Sequence, residues 1–396
     1  MDAASPLAGA EVEVVDATGK KAKGTTDATG ALKLANMAVP YDVSVKHPSA
    51  PTPLVVLGRR ERSIRLPVWT LPSTPASERR HIFTVQVQVP PCSSSCSLVV
   101  VSASLHGGGQ TIESIAASPS SQTKSVTLTH GFFRGGMGPS ELVRIHAITR
   151  NAEQTSWAYR EISTTGQRGG ASSVAFGSLV PVGIQGSMTV DAIMPDATPN
   201  LNPTVGAMLL LAGGARLSLS SAEAPSASFV VPAIPGASLQ ATSSLRDMTL
   251  AQTTDDELYA YSETDPLPLA TPSVGVTVYA PPTMTAPLMG GDLPSSAPAI
   301  TWTTGAPGLG YVELYDLDRK EPVALVLTDE RAVPLASLRG LGFALTPSTY
   351  AMDISSVANV SLAEVIDGSA PSRRPIAVSG RAQASARAMF RFTISP

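Results

Sequence analysis

Gly9 to Val45 reads GAEVEVVDATGKKAKGTTDATGALKLANMAVPYDVSV, and its punctuation decides the fold. Apolar Ala10, Val12 and Val14 alternate with Glu11 and Glu13, and Tyr41 to Val45 alternates again, the period of a half-buried strand. Between these runs Asp16-Ala17-Thr18-Gly19 and Asp27-Ala28-Thr29-Gly30 spell the same four residues. In each, Asp starts a turn and Gly takes the left-handed position that ends it. Short strands joined by such turns predict an all-β protein.

The whole chain agrees. Its 396 residues are too many for one sandwich core and suit three or four domains of about 100 residues each. Hydrophobic residues make up 43% and charged residues 15%, with 34 Pro and 32 Gly, which favours many short strands over amphipathic helices. A formal charge of −3 argues against a nucleic-acid partner, which selects a basic face to displace counterions from phosphates. The longest apolar run, Val205 to Ala215, falls short of the about 20 residues that a membrane-spanning helix needs. Met1-Asp2 opens no signal peptide, which fits either a cytosolic protein or a mature region behind a removed leader.

The cysteines favour the second. Cys92 and Cys96 stand in VPPCSSSCSL, between an alternating strand at Phe83 to Val89 and an apolar one at Leu98 to Leu105. A turn through the three serines can bring them within the roughly 7 Å that a disulfide spans. Such a bond, expected between Cys92 and Cys96, forms in an oxidising compartment; the other reading is two thiols on an exposed loop. The five histidines show no ligand spacing, so neither zinc nor any other cofactor is expected.

From Pro6 to Pro48 the order of motifs (a Gly-Ala opening strand, a turn, a Thr-rich strand, Asp-x-x-Gly, an alternating strand and Tyr41-x-Val43-x-Val45) resembles the carboxypeptidase regulatory-like domain. That resemblance implies a transthyretin-like β-sandwich and little about function. Such a sandwich has a strand before its Gly-Ala element, yet only Met1 to Ala8 precede Gly9. The Ala10 to Val14 strand is therefore expected at an open edge, either because its neighbour lies upstream or because a strand from another chain fills the place by exchange.

Four units follow from the patterning. Residues 1–70 form the regulatory-like unit, closed by the Pro-rich linker Leu66 to Arg80. Residues 81–180 carry strands at Ile82–Val89, Leu98–Leu105, Ser125–His130, Leu142–Thr149 and Trp157–Ser163, the spacing of an immunoglobulin- or fibronectin-like sandwich. Residues 181–282 echo the first unit, with Gly206-Ala207 standing where Gly9-Ala10 does and a preceding strand, Ser187 to Ile193, present. Residues 299–396 look like a fibronectin type III-like domain: core Trp302, a long strand at Tyr311 to Tyr315, and the corner Pro347-x-x-Tyr350. Met389, Arg391 and Thr393 alternate there with Phe390, Phe392 and Ile394, so the latter three are expected in the core.

Chemistry is hard to place. His106-Gly107-Gly108-Gly109 copies the oxyanion-hole motif of esterases, but that fold also needs a Gly-x-Ser-x-Gly elbow, which the chain lacks. A zinc carboxypeptidase needs His-x-x-Glu, and no histidine is followed by Glu three residues on. Asp255-Asp256-Glu257 and Asp316 with Asp318 lack the ladder of a calcium loop and read as solvated turns. Arg59, Arg60, Arg62 and Arg65, with Arg79 and Arg80, form a basic run interrupted by Glu61 and Glu78 and read as solvated, with an acidic glycan or lipid headgroup as the minority alternative. No catalytic, cofactor or metal residue is assigned. The leading expectation is a non-enzymatic, bacterial-type cell-envelope or surface protein that binds or spaces a protein or glycan partner in the periplasm, on the outer-membrane surface or outside the cell. The alternatives are an accessory subunit of a secreted hydrolase, a carbohydrate-binding surface protein, or a subunit of a surface assembly.

Overall fold

The computed structural model describes residues 7–50, 52–61, 64, 66, 80–91, 96–104, 111–117, 122–131, 140–194, 202–246, 259–288, 290–294, 296–303, 307–343, 345–358, 361–366 and 384–395. The fold is all β, as expected, with two short helices among the described residues.

The opening stretch gives β1 (Glu11–Asp16), β2 (Lys21–Thr25), β3 (Tyr41–Lys46) and β4 (Leu54–Arg59), ordered β2-β1-β3-β4 in one sheet. Its two turns are built alike. Asp16 Oδ1 accepts from Thr18 N (2.9 Å), Thr18 Oγ1 (2.6 Å) and Lys20 N (3.0 Å), and Asp27 Oδ1 accepts from Thr29 N (2.8 Å), Thr29 Oγ1 (2.6 Å) and Ala31 N (3.0 Å). Gly19 and Gly30 close them at φ +82° and +71°, where a side chain would be strained. The edge expectation needs correction. β1 is flanked on both sides, by β2 and by β3, and the edge strand is β2, whose Lys21 and Lys23 are exposed. Charged lysines on an edge disfavour pairing with another chain.

The second unit contains β5 (Arg80–Val89), β6 (Cys96–Ser104), β7 (Thr111–Ala117), β8 (Gln122–Gly131), β9 (Ser140–Asn151), β10 (Trp157–Gln167), β11 (Ala171–Ser178) and β12 (Val180–Val182). Sheets β12-β10-β9-β6-β7 and β11-β5-β8 face each other. Phe83, Val85 and Val87 alternate inward from β5 and meet Leu98 and Val100 of β6 and Ile145 of β9.

The third unit contains β13 (Ile184–Ile193), β14 (Asn202–Leu211), β15 (Ala215–Ala222), β16 (Ser226–Pro232), β17 (Ser238–Arg246), β18 (Tyr259–Glu263) and β19 (Ser273–Thr277). The apolar run from Val205 is β14 plus a 3-10 turn at Ala212–Gly214, and it packs inside a sandwich. The order β15-β14-β17 repeats β2-β1-β3, with the Gly-Ala strand central in both.

The last unit contains β20 (Thr283–Ala286), β21 (Asp292–Pro294), β22 (Ala299–Thr303), β23 (Gly308–Asp316), β24 (Glu321–Thr328), β25 (Ala332–Pro334), α1 (Leu335–Gly340), β26 (Ser348–Ala358), α2 (Leu362–Ile366) and β27 (Ala384–Ser395). Trp302, Tyr350, Phe392 and Ile394 are buried in one core; the side chain of Phe390 lies outside the described residues. The Tyr350 hydroxyl donates to the Thr346 carbonyl at 2.9 Å, the hydrogen bond of a tyrosine corner.

One sheet runs through three of these units, in the order β15-β14-β17-β18-β27-β26-β23-β24-β4-β3-β1-β2. Antiparallel β18 and β27 join the third unit to the last. Parallel β24 and β4 then join the last unit to the first, with Leu325 opposite Leu54, Val326 opposite Val55 and Leu327 opposite Val56.

Candidate functional site

The joints between units bury polar as well as apolar side chains. Between the second and third units, Val99, Val101, Ile148 and Trp157 leave the second sandwich on its outer face and enter one apolar cluster with Leu217 and Leu219 of β15. Alternation forces this: β6 and β9 send odd and even residues to opposite faces, and both faces are apolar here.

Polar groups pin that face. His146 Nε2 donates to the Ala212 carbonyl of the 3-10 turn at 2.8 Å, while Nδ1 lies 3.0 Å from the Tyr159 hydroxyl, which donates to Glu161 at 2.9 Å. Burial holds the His146 pKa below its ordinary 6.5, against the Ala212 carbonyl and the Glu161 carboxylate, which favour the charged ring. Burial likewise pushes the Tyr159 phenol up. Arg150 reaches across the same joint to donate to the Leu219 and Ser218 carbonyls, and its guanidinium lies over the Trp157 ring, 5.8 Å from the centroid.

The joint between the first and last units is built differently. Leu54 to Leu57 of β4 are buried on both faces, Leu54 and Val56 with Leu325 and Leu327, and Val55 and Leu57 with Val312 and Val326. Lys46 of β3 sits over the Phe343 ring, 4.7 Å from its centroid, just beyond α1. Glu13 of β1, buried on that side, pairs with Lys23 at 2.9 Å. Asp16 differs from Asp27 in one contact: its second oxygen accepts from Ala38 N at 3.0 Å, tying the first turn to the stretch before β3. Hydrogen bonds from Thr18 and then Ala38 lower the Asp16 pKa to about 2, and Thr29 lowers that of Asp27.

Two further histidines face serines inside the second unit. His130 Nδ1 lies 3.1 Å from Ser102 Oγ and its Nε2 2.9 Å from Glu141 Oε1, with Ser102 and His130 fully buried. His81 Nδ1 lies 2.9 Å from the Gln167 carbonyl and 3.0 Å from Gln167 N, and its Nε2 lies 2.8 Å from Ser172 Oγ.

Residues singled out in the sequence scatter. Cys96 opens β6, and Cys92 lies outside the described residues, as do His106 to Gly109, Asp255 to Glu257, Arg62, Arg65, Arg79 and Trp69. Arg59 leaves the basic run: its side chain is 6% exposed and pairs with Glu61, so the run does not form one surface patch. Asp316, the last residue of β23, is buried and so is not a solvated turn carboxylate, whereas Asp318 is exposed in the turn that follows, as expected; their carboxylates lie 2.7 and 2.9 Å from the Ser348 hydroxyl and tie β26 to that turn. The Ser102–His130–Glu141 series was missed, because its members come from three strands and share no local motif.

No family model matches the chain, and no curated protein does. Among solved structures, a fimbrial assembly protein from Parabacteroides distasonis matches at 9% identity and a TM-score of 0.18, over 62% of this chain and 98% of that one. The major pilin from Streptococcus pyogenes matches at 9% identity and a TM-score of 0.14, over 50% and 97%. The shaft pilin SpaA from Lactobacillus rhamnosus GG matches at 8% identity and a TM-score of 0.15, over 50% and 97%. Scores this low carry no inference about this chain.

Proposed function

We propose that this chain is a structural protein of a cell envelope or surface, in which tandem β-sandwiches hold other components at a fixed spacing. The observation that carries the reading is the sheet that passes unbroken from the third unit through the last unit into the first. Backbone pairing across unit boundaries leaves no hinge there, and the second unit is fixed to the third through a buried apolar face rather than a linker alone. A rigid body of this kind suits spacing better than closure around a substrate. The regulatory-like resemblance of residues 6–48 enters as a fold type only. The Cys92–Cys96 bond belongs to the same reading, since it places folding in an oxidising compartment. No helix among the described residues is long and apolar enough to cross a membrane.

Fractionation of source cells with an antibody to the chain, combined with protease shaving of intact cells, tests the reading. It predicts recovery in the envelope or at the surface. Recovery in the cytosolic fraction, with both cysteines alkylated before reduction, would overturn it.

A further inference from the structure

The order of strands repeats between the first and third units, and the comparison leaves one place in the first unit unfilled. In the third unit the hairpin of β14 and β15 runs into β16 and returns as β17 beside β14. In the first, the hairpin of β1 and β2 runs through Ala31 to Ala35 and returns as β3 beside β1. β16 has a partner: β13, which precedes the Gly-Ala strand, lies antiparallel to it, with Met188 opposite Phe229, Ser187 opposite Val230 and Gly186 opposite Val231. Leu32, Lys33 and Leu34 hold the places of Phe229, Val230 and Val231, but their segment belongs to no sheet. Ala31 closes on Asp27 through its N–H and its carbonyl, whereas the backbone groups of Leu32, Lys33, Leu34 and Ala35 make no hydrogen bond to any described residue.

Burial marks the same place. Met188 and Val190 of β13 cover a core face in which Leu209, Phe229 and Val231 are 0, 5 and 0% exposed. Val12, Leu32 and Leu34 stand at the matching positions of the first unit, and each is only half-buried. The segment is nevertheless laid on the core: Leu32 lies against Gly24 of β2, where a Cβ would stand 2.6 Å from Leu32 Cδ1, and Leu34 packs on the cluster of Val14, Val43 and Val45. Lys33 is exposed between the two leucines. Every described strand of the chain already has its place in a sheet, and the Leu7 carbonyl, just before the Gly-Ala element, accepts from Thr26 Oγ1 at 2.6 Å instead.

We propose that the first unit takes a β-strand from a second protein, laid antiparallel to Leu32–Ala35, apolar at the alternate positions that cover Val12 and Leu34 and acidic opposite Lys33. Backbone pairing supplies the affinity, and the covered side chains fix the register. This place lies in the layer over β1, not at the edge of its sheet, where Lys21 and Lys23 guard β2. The inference rests on the spacing reading for its purpose and not for its geometry: the site stands if the chain proves cytosolic, and recovery at the surface stands if the site fails.

The test uses the full chain and a synthetic peptide with blocked ends, the sequence Ile184–Ile193 carrying Ser187→Glu, because β13 is the strand that fills the matching place. The peptide is expected to bind saturably and to slow amide exchange at residues 32–35 by about tenfold or more. Lys33→Glu is expected to weaken binding by about threefold or more with the melting temperature unchanged, since an opposite-charge pair becomes a like-charge one. The same strand tethered before Leu7 through a Gly/Ser linker raises its effective concentration and so separates geometry from affinity. Slow exchange at 32–35 in the chain alone would mean that the place is already filled. No added protection from the tethered strand would mean that no strand site exists, and protection from the tethered strand with none from the free peptide at millimolar concentration would assign the place to a strand of the same chain. Each of these outcomes overturns the proposal.

Discussion

The joint between the second and third units is a face laid on a face, held by Trp157, Leu217, Leu219 and the side chains of His146 and Arg150. The joint between the first and last units is an edge joined to an edge, held by backbone pairing of β4 with β24. The difference is one of specification. A face-to-face joint depends on particular side chains and on their charge, whereas an edge joint depends on extended backbone in register with apolar residues on both faces. The first should respond to substitution and pH on its own; the second should unfold only with the sheet it belongs to.

The largest effect separates the two directly. Phe392 is buried and stacks on Tyr350 with centroids 5.7 Å apart, so Phe392→Ala should cost about 3–5 kcal/mol. Because the last unit shares its sheet with β1 to β4, calorimetry should show residues 11–59 melting earlier along with it, while the second unit's transition stays put. A shift confined to the last unit would break the comparison.

At the other joint, Arg150→Ala removes donors to the Leu219 and Ser218 carbonyls and the cover over Trp157, and should cost about 1–3 kcal/mol. The loss should appear as faster amide exchange in β6, β9 and β15, with β4 and β24 unchanged. Equal loosening of both joints would contradict separate specification.

The smaller effect of acid sharpens the same contrast. His146 has a folded pKa below the unfolded value of 6.5, so the unfolded chain binds the extra proton first. The stability it contributes is fully present above pH 6.5 and is lost as pH falls below that value toward the folded pKa. Acidification from neutral should weaken the second–third joint, and His146→Gln should flatten that dependence. Asp16 acts lower: its stabilisation holds above the ordinary 3.8 and fades only as pH falls through about 2, so it leaves this window untouched. Asp16→Ala should lower stability more than Asp27→Ala, since Asp16 alone of the two also anchors Ala38.

The cysteines bear on neither joint. If Cys92 and Cys96 are bonded, reduction should cost roughly 2 kcal/mol, the chain-entropy value for so short a loop. Intact mass should be unchanged by alkylation before reduction and heavier by two alkyl groups after it.

What the sequence disclosed was local. Both Asp-x-Thr-Gly turns, the alternation of β5, the Tyr350 corner and the inward Phe392 each follow from residues near one another in the chain. The long joints were not legible, because register between β4 and β24 is set by residues some 270 positions apart. A signal existed: Leu54-Val55-Val56-Leu57, between Pro53 and Gly58, is a continuous apolar run, the pattern of a strand buried on both faces. Reading the first stretch as an independent sandwich hid it. The edge misreading of β1 came from the same assumption, since β3 rather than an upstream strand takes the second flank.

Hydrogen exchange along a denaturant series tests the edge joint most directly, comparing peptides that cover residues 54–59 with those that cover 321–328. The account predicts that both lose protection in one transition, with the same midpoint and the same slope. Loss of protection in 54–59 at a lower denaturant concentration, while 321–328 stays protected, would contradict it.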